Sequence, residues 1–125
     1  MEGRRPKVLA VDDSGTVLHK ISEALGGDAE VTCARSGRQA LECLQRADDG
    51  PFGLILLDVH MPGMDGLELL TEIRKIRAYE TTTVAFLTTE SSKEQKSRGK
   101  ELGAIAWIVK PFSAHALQTV LKRVQ

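Results

Sequence analysis

Apolar residues alternate along the chain between two patterns. Short runs that are almost wholly apolar occur near Lys7–Val11, Leu54–Asp58 and Thr83–Thr88, with more mixed runs near Glu30–Ala34 and Ala106–Lys110. Continuous apolar runs of this length are what parallel strands covered on both faces require. Between them the apolar positions recur at helical spacing. Val17, Leu18, Ile21 and Leu25 form one stripe over Ser14 to Leu25, which stops at Gly26-Gly27. Ala40, Leu41 and Leu44 do the same over Ser36 to Ala47, and Leu67, Leu70, Ile73 and Ile76 over Gly66 to about Arg77. Ser113 to Val124 opens on a Ser cap and presents Leu117, Val120, Leu121 and Val124. The segment "SSKEQKSRGKELG", residues 91 to 103, is the exception. It offers Leu102 as its one large apolar anchor, and Gly99 inside it costs about 1 kcal/mol against Ala. A weakly held surface helix with a locally basic face, from Lys93, Lys96, Arg98 and Lys100, is expected there.

Five βα units in succession predict an α/β fold: an open, five-stranded parallel sheet, doubly wound with helices on both faces through right-handed crossovers. Such sheets bind ligands at the carboxyl ends of their strands. Those ends carry Asp12-Asp13, Asp58, Thr88-Thr89 and Lys110-Pro111.

Composition narrows the class. The 125 residues suffice for one domain, and 17 basic residues balance 17 acidic ones, so no whole-molecule field for nucleic acid exists. No apolar run reaches the length of a membrane span or signal-peptide core, and Cys33 and Cys43 lack metal-type spacing. A cytoplasmic protein is expected, with both cysteines as buried or half-buried packing residues.

Crowded carboxylates repel one another and are costly to bury unpaired. A hard divalent cation with oxygen ligands would relieve them; Mg2+ takes one or two carboxylates and leaves room for phosphate oxygens. Lys110 brings a second positive charge from another strand. This set suits phosphoryl transfer, which depends on positioning and charge neutralisation, and Asp58 is then the nucleophile, because aspartyl carboxylates form covalent phosphoryl intermediates. Each residue also has a plainer reading when taken alone. Asp12-Asp13 would suit a helix N-terminus, Lys110 a solvated surface, Thr88 a satisfied strand hydroxyl and Trp107 a packed core. His19 and His115 read as exposed helix residues, and the "MPGMDG" turn as loop geometry.

The acidic pair in "VLAVDDS", the aspartate in "LILLDVHMPGMDG", the hydroxyl in "LTTE" and the lysine in "WIVKPF" together resemble the receiver domains of two-component response regulators, over nearly the whole chain. Within that family, "LTTESS" and "GKELGAIAWIVKPF" are most similar to single-domain chemotaxis regulators of the CheY type. The resemblance implies a flavodoxin-like (βα)5 sheet of strand order 2-1-3-4-5, with residues 1–125 forming one receiver domain. It implies that Asp58 accepts a phosphoryl group from a histidine kinase. Asp13, Asp58 and the backbone carbonyl of His60 would ligate Mg2+, while Asp12 orients a metal-bound water. Lys110 would pair with the acyl phosphate, and Thr88 would turn its hydroxyl onto a phosphoryl oxygen. Trp107 would then move inward, switching the face of helix four, strand five and helix five toward a downstream protein such as a flagellar motor switch. The chain would be no enzyme beyond its own phosphoryl acceptance and autodephosphorylation, and would contact neither nucleic acid nor membrane. A cis bond at Lys110-Pro111 is also implied.

The chain departs from the family pattern in places. Trp107 stands where Tyr or Phe is usual, and Thr89 where many members carry Ala or Gly. His60, Thr89 and Glu90 occupy positions that tune hydrolysis of the phosphoryl group. Met1 and its short basic lead-in read as a natural start. The chain stops directly after the last helix, so a receiver cut from a longer regulator, with a C-terminal DNA-binding or enzymatic output domain, stays open as the alternative. A structural pseudo-receiver is disfavoured by the complete constellation. An aspartate-nucleophile phosphatase is disfavoured because "LDVHMP" has no second Asp two residues on.

Overall fold

The computed structural model describes residues 5–46, 50–89 and 92–125. Five strands alternate with five helices: β1 (Lys7–Val11), α1 (Gly15–Leu25), β2 (Glu30–Ala34), α2 (Gly37–Gln45), β3 (Leu54–Asp58), α3 (Gly66–Arg74), β4 (Thr83–Thr88), α4 (Lys93–Glu101), β5 (Ala106–Val109) and α5 (Ala114–Leu121). The strands form one parallel sheet in the order β2-β1-β3-β4-β5. The expected α/β architecture and strand order are therefore observed.

Side-chain alternation divides the core between the two faces. Val8, Ala10, Leu54, Leu56, Ala85 and Leu87 point toward α1 and α5, while Leu9, Val11, Ile55, Leu57, Val84 and Phe86 point toward α2 and α3. All five residues of β3 are buried, Asp58 included, because this strand lies in the middle of the sheet and is covered on both faces. The helix starts obey local chemistry. Ser14, Ser36 and Ser113 accept the N–H of the residue three positions on, and Asp65 with Glu68 and Ser92 with Gln95 form reciprocal capping boxes.

Several boundaries differ from the sequence pattern. α3 ends at Arg74, not near Arg77, and a 3-10 turn follows over Arg77–Tyr79. The backbone leaves the helix at Ile76, whose ψ is 117°, and the Arg74 guanidinium folds back to donate to the carbonyls of Tyr79 (3.0 Å), Thr82 (2.7 Å) and Leu102 (2.8 Å). The turn buries Tyr79, whose hydroxyl accepts the Phe52 N–H at 3.3 Å. α2 ends at Gln45, and the expected end at Ala47 lies outside the described residues. Cys43 is half-buried as expected, but Cys33 is exposed, because β2 is an edge strand with only its last residue buried. None of the described helices is long and apolar enough to cross a membrane.

Candidate functional site

The parallel strands bring their carboxyl ends to one edge, and the register sets which residues meet. Val11 pairs with Leu57, Asp58 with Leu87 and Thr88 with Val109, so the residues ending β1, β3, β4 and β5 are neighbours. Asp12 is fully buried and uses both oxygens: Oδ1 accepts the Ser14 N–H at 2.9 Å and Oδ2 accepts Lys110 Nζ at 2.7 Å. The same ammonium stands 3.3 Å from Asp58 Oδ1. Asp58 is 4% exposed, whereas Asp13 faces solvent. One oxygen from each of Asp12, Asp13 and Asp58 lies within 4.8 Å of the others.

Two buried carboxylates share one ammonium here, and proton affinities follow. Burial, then the charge of Asp12, raise the Asp58 pKa above the ordinary carboxylate range, although Lys110 and a backbone hydrogen bond from His60 pull it back. Burial alone would lower the Lys110 pKa. The hydrogen bond to Asp12 and the charges of Asp12 and Asp58 outweigh it and hold the pKa above its usual value.

The loop after β3 keeps the next helix close to Asp58. Gly66 begins α3 with its N–H on the Val59 carbonyl at 2.8 Å, and a side chain there would collide with the carbonyl oxygen of Asp58. Gly63 turns the loop at a φ of +80°. Thr88 is fully buried at the end of β4, and its carbonyl accepts the Lys110 N–H at 2.8 Å. The Lys110-Pro111 bond is cis. Thr89 and the His60 side chain are exposed beside the acidic cluster, while Glu90 lies outside the described residues. Trp107 lies on the face opposite Lys110 by strand parity and packs against Phe86 with ring centroids 4.8 Å apart and planes tilted by 45°.

Arg35 escaped the sequence reading. It follows β2 and donates from Nη2 to the Asp13 carbonyl at 2.9 Å, which holds the loop that carries Asp13. The end of β2 also belongs to the site, since the Ala34 carbonyl accepts the Asp12 N–H at 3.1 Å.

The family model of the response regulator receiver domain matches residues 8–122. The chain belongs to that family. It is 33% identical over 120 residues to the chemotaxis protein CheY homolog of Campylobacter jejuni, covering 94% of this chain and 91% of that protein. It is 36% identical over 119 residues to the sensor histidine kinase CheAY of Helicobacter pylori, covering 93% of this chain but only 14% of that larger protein. The solved structure of the chemotaxis response regulator CheY4 of Vibrio cholerae is 41% identical and superposes with a TM-score of 0.86, covering 98% of this chain and 100% of that one. The chain is thus a receiver domain homologous to CheY-type chemotaxis response regulators. The chain spans 14% and 25% of the length of two curated relatives that it matches, so receiver domains of this kind also occur within longer proteins.

Receiver domains bind Mg2+ at an acidic pocket, and the donors present here suit that ion. All are hard oxygens, Asp13 opens the cluster to solvent, and the carboxylates outnumber the single ammonium.

Proposed function

We propose that the chain is a phosphorylation-activated response regulator of a cytoplasmic chemotaxis pathway, with Asp58 as the acceptor. The carrying observation is the place of Asp58: it ends the central strand, between the acidic pair of β1 and Thr88 of β4, with Lys110 3.3 Å from its carboxylate. Asp12 competes poorly for the role, because it is fully buried with both oxygens engaged.

In the transfer, an Asp58 oxygen bonds to the phosphorus of a kinase phosphohistidine as the N–P bond breaks. The electron pair passes to the imidazole nitrogen, which takes a proton. Asp13, Asp58 and the His60 carbonyl would hold Mg2+, with Asp12 orienting its water, and the bound ion supplies charge neutralisation at the phosphoryl oxygens. Lys110 needs only a small movement from Asp58 Oδ1 to reach a phosphoryl oxygen. The Thr88 hydroxyl turns onto another, and Trp107 moves into the space it leaves. His60 and Thr89 border the acyl phosphate and set its hydrolysis, the one turnover proposed for the chain. The output is the face of α4, β5 and α5, where β5 is a sheet edge and leaves Val109 58% and Ile105 39% exposed beside the basic residues of α4. A flagellar motor switch protein suits that face. A probable cyclic di-GMP phosphodiesterase of Vibrio cholerae, 38% identical over 112 residues and spanned to 25% of its length, favours as a second reading a receiver within a longer regulator carrying an enzymatic or DNA-binding output domain.

The emission of Trp107, the only tryptophan, tests the switch. Mg2+ alone and Mg2+ with beryllofluoride are expected to change it differently, the second change requiring Thr88. A Thr88→Ala variant that binds the mimic and still gives the wild-type signal would show that activation reaches the output face by another route.

A further inference from the structure

α4 meets the sheet at a point where it has no side chain. Gly99 is the one buried residue of the helix, and a Cβ built there would stand 2.7 Å from Cζ3 of Trp107 and 3.2 Å from Cε2 of Phe86. The first distance is shorter than carbon atoms adopt in contact, and the second is tight enough that the Phe86 ring would have to give by a few tenths of an ångström. On the sheet side the indole rests against another ring. Phe86 is fully buried behind it, with planes tilted by 45° at a centroid separation of 4.8 Å. The rest of α4 gives little purchase: Lys93, Glu94, Lys96, Ser97, Arg98 and Lys100 are exposed, and Leu102 after the helix is half-buried. The Trp107 Nε1–H is buried and has no hydrogen-bond partner among the described residues, so the seated arrangement is opposed by an unsatisfied donor.

We infer that Gly99 is a positioning residue: its missing side chain seats α4 directly on Trp107 and couples the place of the helix to the rotamer of the indole, so that neither moves without the other. The contact stands apart from phosphoryl chemistry; its use in switching rests on the function proposed above.

Hydrogen exchange of the α4 amides in the unliganded chain decides the matter, comparing wild type, Gly99→Ala, Trp107→Phe and the double variant. Alanine forms helix better than glycine, so propensity alone slows exchange in Gly99→Ala. The seat requires the reverse: the methyl lifts the helix from the indole, α4 amides exchange about tenfold faster, and the Trp107 emission shifts as the ring gains water. In the Trp107→Phe background the 2.7 Å approach is relieved and only the 3.2 Å approach to Phe86 is left, so the same methyl speeds exchange much less. Unchanged or slower exchange in Gly99→Ala overturns the inference, and so does acceleration of equal size in both backgrounds. No phosphodonor, metal or mimic is present, so a failed Asp58 assignment leaves this outcome unaffected.

Discussion

Lys110 lies 2.7 Å from Asp12 and 3.3 Å from Asp58, and among the described residues no other cation forms an ion pair with the cluster. Replacing it by methionine strands two buried carboxylates, which should cost about 3 kcal/mol in chelated buffer, with part of the loss recovered by Mg2+. Thermal melts with and without the ion measure this. Asp58→Asn should act in the opposite direction. A carboxyl whose folded-state pKa is raised binds its proton more tightly in the fold, so its ionisation opposes folding; the cost is absent below the ordinary value of 3.8 and complete above the raised one. In metal-free buffer near neutral pH, Asp58→Asn should therefore melt higher by about 4 °C, roughly 1 kcal/mol, with the gain fading as the pH falls toward acid. A lower melting point at neutral pH would mean that Lys110 more than offsets the burial of Asp58. Lys110 has the other sign: its raised pKa gives stability that is present below the ordinary lysine range and lost as the pH climbs through the raised value. These residues were legible from the sequence because a polar residue ending an apolar strand can only lie at the sheet edge. Arg35 was not, since its contribution is a hydrogen bond to a main-chain carbonyl, which leaves no pattern in residue types.

Among the elements, α3 and α4 show where pattern reading stops. The apolar spacing through Ile76 predicted a longer α3, and it carries no trace of the long-range carbonyls that Arg74 collects. Burial lowers the Arg74 pKa, and the guanidinium spreads its donors over three segments in a way an ammonium cannot copy. Arg74→Ala should cost about 2 kcal/mol by denaturant titration, with Arg74→Lys recovering less than half. Full recovery by lysine would reduce the clasp to simple charge. Gly99 read from sequence as a weak point in α4; the structure shows a close helix-to-indole approach that only glycine permits. The spacing of residues within one helix says nothing of the ring that another strand places beneath it.

The whole sheet was legible as a class from alternating patterns, and its strand order only through family resemblance, because local periodicity does not record which strands become neighbours. The order β2-β1-β3-β4-β5 places β3 centrally and β5 at an edge, separating an acidic pocket at the strand ends from an exposed face on α4, β5 and α5. Metal binding should stabilise the whole domain through this pocket. Mg2+ should raise the melting temperature of wild type and raise that of Asp13→Asn less, with Asp12→Asn weakening the ion's affinity by a smaller factor than Asp13→Asn. The opposite ranking would reverse the roles of the acidic pair. The most direct test of the chain as a phosphoryl-accepting regulator is intact-mass analysis of wild type and Asp58→Ala after incubation with Mg2+ and a small acyl phosphate donor. Gain of a single phosphoryl group by wild type, and none by Asp58→Ala or by wild type with chelator, is the expected result; equal labelling of both proteins would place the acceptor elsewhere and contradict the assignment of Asp58.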